Sequence, residues 1–100
     1  MKKTALKLVS ETVGGEVYEY FPIGRHIVMA PGVCGGRPTF KYTRIDVRHA
    51  LSLLAAGRSI EQVAEGYMIP IAAVREALAM AAKAFDRQSQ EMEQRPAKLA

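Results

Sequence analysis

The chain has 100 residues, 49% of them hydrophobic and 24% charged, with a formal net charge of +4. That composition fits one small folded domain and argues against wholesale disorder. No apolar run is long enough to span a bilayer, and the single cysteine excludes an internal disulfide. The start, MKKTALKLVSETVGG, opens like a signal peptide, but Lys7 and Glu11 interrupt its apolar stretch. A cytoplasmic protein without membrane attachment is therefore expected.

Positive charge is unevenly spread. Residues 1–44 hold seven Lys/Arg against three Glu, whereas 45–85 and 86–100 are each balanced. A basic first half attracts polyanions over roughly a Debye length of 8–10 Å; the same charge also serves as an ordinary solubilising surface.

Taken in chain order, residues 1–15 mix charge with Ser, Thr and a Gly14-Gly15 pair, and read as a flexible leader. EVYEYF and RHIVMA are β-prone runs flanking Pro22-Ile23-Gly24, which predicts a hairpin over Glu16–Ala30. The glycine-rich PGVCGGRP follows. TFKYT then reads as a third short strand with Phe40 and Tyr42 on one face.

From Ile45 the period changes. Val47, Ala50, Leu51 and Leu54 make one helical stripe, begun by Asp46 and stopped by Gly57. Ser59 precedes Gln62 in a capping-box spelling, and Ile60, Val63, Ala64 and Tyr67 make a second stripe that Gly66 would close. Pro70 suits the first turn of a third helix over about Ile71–Phe85. The expected organisation is a leader (1–15), one domain (16–85, with a β/loop region over 16–44 and a three-helix bundle over 45–85) and a polar tail (86–100). The fold class is mainly α with a small β region: short N-terminal strands followed by a helix-turn-helix-like bundle. Met68 stands at the turn position where glycine is usual in that motif.

The third helix carries two apolar stripes. Ile71, Val74, Leu78, Ala81 and Phe85 form the expected core seam; Ala73, Ala77, Met80 and Ala84 lie beside it. An arc this wide calls for a second neighbour, and the alanine stripe is the expected homodimer interface. The alternative is that alanine is simply the best helix former. The exposed start of this helix offers only Arg75 for bidentate contact with guanine. The expected phosphate contacts lie upstream, at Arg25, Arg37, Lys41, Arg44 and Arg48.

Other chemistries find little footing. GVCGGR lacks the Gly-Lys-Ser/Thr ending of a phosphate loop and leads into Pro38. A catalytic Cys34 would need His26 or His49 beside it. No CxxC or HExxH spacing exists for zinc. No metal, no cofactor and no enzymatic activity are expected, and the glycine loop reads as a joint between the β and helical regions.

The stretch PGVCGGRPTFKYTRIDVRHALSLLAAGRSIEQVAEGYMIPIAAVREALAMAAKAF resembles the bacterial family called domain of unknown function 433 over about residues 27–85. That family's usual spelling is a Pro-x-x-x-Gly-Gly-x-Pro loop, a Gly-Thr-Arg-Ile segment and three helices, the last rich in small residues. Here Tyr42 replaces the glycine before Thr43-Arg44-Ile45, and Asp46 replaces a proline. The resemblance implies a winged-helix or homeodomain-like domain. It also implies the antitoxin half of a type II toxin–antitoxin pair, neutralising a PIN-like ribonuclease and binding its own promoter DNA. A non-enzymatic protein–protein module without nucleic acid is the alternative.

Overall fold

A computed structural model describes residues 7–93. VSETV and EVYEY, rich in β-formers, pair around Gly14-Gly15, so Val9–Val13 (β1) lies antiparallel to Glu16–Pro22 (β2) with Val9 opposite Tyr20. Gly14 (φ 58) and Gly15 (φ 85) supply the two positive φ angles that a two-residue hairpin turn favours. Val9–Val13 of the expected leader is therefore a paired strand; a Gly-Gly pair between two β-prone runs is the sequence sign of it. The rest of that leader, residues 1–6, and the last part of the tail, 94–100, lie outside the described residues.

Ile27–Met29 (β3) pairs with the end of β2, and Pro38–Phe40 (β4) pairs with β3, completing an antiparallel sheet in the order β1-β2-β3-β4. The expected hairpin is present. Its bend is closed by the Ile23 and Gly24 amides, which both donate to the Ile27 carbonyl at 3.0 Å. Alternation divides the sheet into two faces. Ile27 opposes Phe40 on the face packed against the helices, whereas Val28 joins Tyr20 and Ala30 on the other.

Three helices follow: Val47–Ala55 (α1), Ile60–Tyr67 (α2) and Ile71–Glu93 (α3). The mainly helical fold with a small β region is thus present. Asp46 caps α1 by accepting from the Arg48 amide at 2.8 Å. The α1 end shows the paired bonds of a left-handed stop, Arg58 N–H to Leu53 and Gly57 N–H to Leu54. Ser59 and Gln62 complete the capping box of α2 with bonds of 2.9 and 3.0 Å. Gly66 does not close α2; it sits inside the helix, and Met68 ends it at φ 59, in the left-handed region that favours glycine.

The expected faces of α3 are exchanged in part. Ala73 and Ala77 are each 1% exposed inside their own chain's core, and Met80 packs on the same cluster. They are therefore not a free dimer surface; of the four residues expected there, only Ala84 is exposed. Val74 is buried and Ala81 half-buried as the core seam requires, but Ile71, Leu78 and Phe85 point outward, Phe85 at 71% exposure. Small side chains face inward because α3 comes close to the β2–β3 bend. There Glu76 accepts from two successive backbone amides, Arg25 N–H and His26 N–H, each at 2.7 Å. A Cβ at Gly24 would overlap the Glu76 carboxylate and come within 2.6 Å of Met80 Cε, so a side chain there would have to displace the ends of both and disturb the Glu76 bonds.

This clamp gives a stability prediction. Hydrogen bonds to a charged group contribute about 1.5–3 kcal/mol, so Glu76→Ala should cost about 2–3 kcal/mol by urea unfolding. Gly24→Ala should cost about 1–3 kcal/mol through overpacking. The two penalties should be less than additive in the double variant, because removing the carboxylate removes half of the overlap. Strict additivity would show that the bend and Glu76 do not hold each other.

Candidate nucleic-acid interface

The basic residues singled out in the sequence fall into two groups and an outlier. Arg37 and Arg48 converge on one carboxylate. Asp46 Oδ2 accepts from Arg37 Nε at 2.8 Å and lies 3.5 Å from an Arg48 guanidinium nitrogen. The Arg37 hydrogen bond, above all, holds the Asp46 pKa below the ordinary carboxylate value. Two cations share one anion here, so the corner between the glycine loop and α1 keeps a net positive charge while Arg37 is oriented.

Arg25, Lys41 and Arg44 have no carboxylate ion-pair partner among the described residues. A chain of backbone contacts positions the first two. Glu76 holds the Arg25 and His26 amides, and the Lys41 amide donates to the His26 carbonyl at 2.8 Å. Arg25 and Lys41 consequently line one cavity of about 450 Å³ together with Tyr42 and the start of α3, at Pro70 and Ala73. On the other side of Tyr42, Arg44 lines a second groove of about 400 Å³ with Tyr18 and the β1–β2 turn. Arg75 stands apart, on the outward side of α3 between Ile71 and Leu78.

Tyrosines, absent from the expected site, organise this surface. Lys41 Nζ lies 5.1 Å from the ring centroids of both Tyr20 and Tyr42. Its neighbour, the Tyr20 phenol, raises the ammonium pKa further above neutrality, so Lys41 stays charged. Glu11 accepts from Tyr20 Oη at 2.7 Å and Tyr42 Oη at 2.9 Å, and those bonds hold its pKa low. The Tyr42 amide donates to Tyr18 Oη at 2.9 Å, and the two rings lie 5.5 Å apart.

Tyr42 itself was expected on the Phe40 face of a strand. Instead Thr43 N–H closes a turn onto the Phe40 carbonyl at 3.0 Å, with Tyr42 at φ 68 in the position where such turns take glycine. The ring leaves the core and is 54% exposed, whereas Phe40 is buried. A glycine at this position would have a backbone reason, and the tyrosine instead gains the contacts with Tyr18 and Glu11. The Tyr-x-Tyr alternation at 18 and 20 was the sequence sign of an aromatic strand face.

Cys34 donates its thiol to the Arg44 carbonyl at 3.1 Å, while the His49 ring lies tilted against Tyr67, 6.3 Å between centroids. The thiol's partner is thus a carbonyl rather than an imidazole, and its bond tethers the glycine loop to the segment carrying Arg44. Among the described residues, no group of three or more His, Cys, Asp or Glu could hold a metal ion, and no helix is long and apolar enough to cross a membrane.

Basic side chains interleaved with aromatic rings can contact a nucleic-acid backbone and stack on bases. An open four-stranded sheet followed by a helix-turn-helix-like bundle is an architecture compatible with such a module. Residues 27–81 match the family described as protein of unknown function (DUF433), and the chain belongs to that family. No curated protein and no solved structure matches it. The matched stretch begins at β3 and ends within α3, so the β1–β2 hairpin that holds Tyr42 lies outside it.

Two measurements check these assignments. Tyr42→Gly should be about 0.5–1 kcal/mol more stable than Tyr42→Ala, because both lose the ring contacts but only glycine relieves the positive φ. Equal stabilities would remove the strain. For Asp46, a lowered native pKa means stabilisation that is complete above the ordinary aspartate value of about 3.9 and lost as pH falls through the native one. Asn still caps a helix, so Asp46→Asn should destabilise at pH 7 by losing the Arg37 and Arg48 pairing. That deficit should shrink steadily with acidification; a constant deficit down to acid unfolding would contradict it.

Proposed function

We propose that this protein is a non-enzymatic, DNA-binding antitoxin of a type II toxin–antitoxin pair, acting as a homodimer in the cytoplasm. The observation that carries the DNA reading is the strip Arg25–Lys41–Tyr42–Arg44, continued by Arg37 and Arg48 at the α1 cap. Its Arg25, Lys41 and Tyr42 lie beside the start of α3, where a helix-turn-helix meets nucleic acid. The contacts are chiefly to phosphates, because the outward side of α3 presents Ile71, Leu78 and Phe85 and little that reads a base edge. Arg75 interrupts that apolar side, apart from the strip, and of the six residues expected at DNA it is the one this reading leaves off the nucleic acid.

The antitoxin role rests on the family resemblance, with a PIN-like ribonuclease as the toxin and the protein's own promoter as the DNA. The exposed apolar side of α3 favours a second reading, a protein–protein module, and one experiment separates the two. Binding to upstream duplex DNA is measured by fluorescence anisotropy between low and physiological salt. The wild type should weaken as salt rises, with a log–log slope near −0.9 for each phosphate neutralised. Lys41→Glu with Arg44→Glu should reduce affinity at least about tenfold and flatten the slope by roughly 2, while circular dichroism stays unchanged. No binding to any duplex at low salt would leave the protein–protein module standing. Co-purification with the neighbouring gene product, and its loss of nuclease activity in that complex, tests the antitoxin half separately.

A further inference from the structure

We infer that two copies of this chain pair through the outward stripe of α3, with the two helices running antiparallel. This rests on the homodimer reading and replaces the alanine interface expected from the sequence. The stripe follows a 4-3-4-3-4 spacing: Ile71, Arg75, Leu78, Ala82, Phe85 and Ser89. Such a spacing keeps one face of a helix turned to a partner. All six are exposed, and Ile71, Leu78 and Phe85 are among the large exposed hydrophobic residues of the chain. From Ala82 to Glu91 every residue of α3 is exposed, so about 15 Å of helix projects beyond its own core.

Residue sizes along the stripe choose the occupant and its direction. Large Ile71, Leu78 and Phe85 alternate with Arg75, Ala82 and Ser89. In an antiparallel pair centred near Met80, Leu78 meets the partner's Ala82, Ile71 meets the partner's Ser89 and Phe85 meets the partner's Arg75. Each large apolar side chain then faces a small one or, for Phe85, a guanidinium that packs favourably on an aromatic ring. The projecting end of each helix covers the exposed start of the other. In a parallel pair each residue meets its own copy. Arg75 would face Arg75 at close range, and large–large layers would alternate with small–small ones, leaving gaps. The stripe thus complements itself only when reversed. It also accounts for an α3 whose outward side suits base reading poorly.

The test uses the full chain with Cys34→Ser, and needs no DNA, so its failure is distinct from failure of the DNA reading. Sedimentation should give a dimer, and Leu78→Glu should weaken it at least about tenfold with unchanged helicity, since that side chain lies outside the core. Oxidation of Ser89→Cys alone should give no disulfide dimer, because reversed helices hold the two positions ~27 Å apart. Mixing it with a size-tagged Ile71→Cys chain should give the mixed disulfide. A rapid Ser89→Cys homodisulfide would establish the parallel arrangement and overturn the inference. So would a monomer at high concentration, or a dimer indifferent to both Leu78→Glu and Phe85→Glu.

Discussion

Two backbone amides held by one carboxylate connect the halves of this molecule. Glu76 leaves α3 to accept from Arg25 and His26 at the β2–β3 bend, and Gly24 leaves room for it. The His26 carbonyl passes the constraint on by accepting from the Lys41 amide. Together with the packing of Ile27 and Phe40 on Val74, this contact holds the start of α3 beside two of the basic side chains assigned to DNA. Without the Glu76 carboxylate the half-buried His26 amide would lose its protein partner, which is costly, whereas the Arg25 amide is exposed.

The β1–β2 hairpin is attached by different means. It lies outside the family segment, and tyrosines tie it to the turn after β4: Tyr18 to the Tyr42 amide, Glu11 to the Tyr20 and Tyr42 phenols. A glycine at position 42 would fit the backbone better but would carry no ring. The tyrosine exchanges local ease for a contact between two segments far apart in sequence. That contact also puts an aromatic surface among the basic residues.

In α3 the division of labour follows residue size. Alanines at 73 and 77 face inward because the helix approaches the sheet bend and α2 closely. The larger Leu78 and Phe85 go outward and are exposed among the described residues. An inward alanine gives little apolar area of its own, but it lets Ile27, Phe40 and Val74 approach one another, and that is where the core lies. The outward residues are available for association, while the basic strip adjoins the start of α3 at Pro70 and Ala73.

Local signals were legible from the amino-acid order alone. Asp46, Ser59 and Gln62 are caps whose partners lie within three residues, and the stripes of α1 and α2 repeat at a helical period. Pro22–Gly24 marks its bend in the same way. These features depend on neighbours along the chain, so the sequence contains both partners. The orientation of α3 does not. Periodicity displayed two adjacent apolar stripes but could not rank them, because the choice depends on how closely the β2–β3 bend approaches, and Glu76, 50 residues away in sequence from His26, sets that approach. Tyr42 likewise read as a strand residue until the fold placed Glu11 and Tyr18 beside it. What tertiary structure alone decided was which faces meet, since burial is a property of the pair in contact and not of either segment.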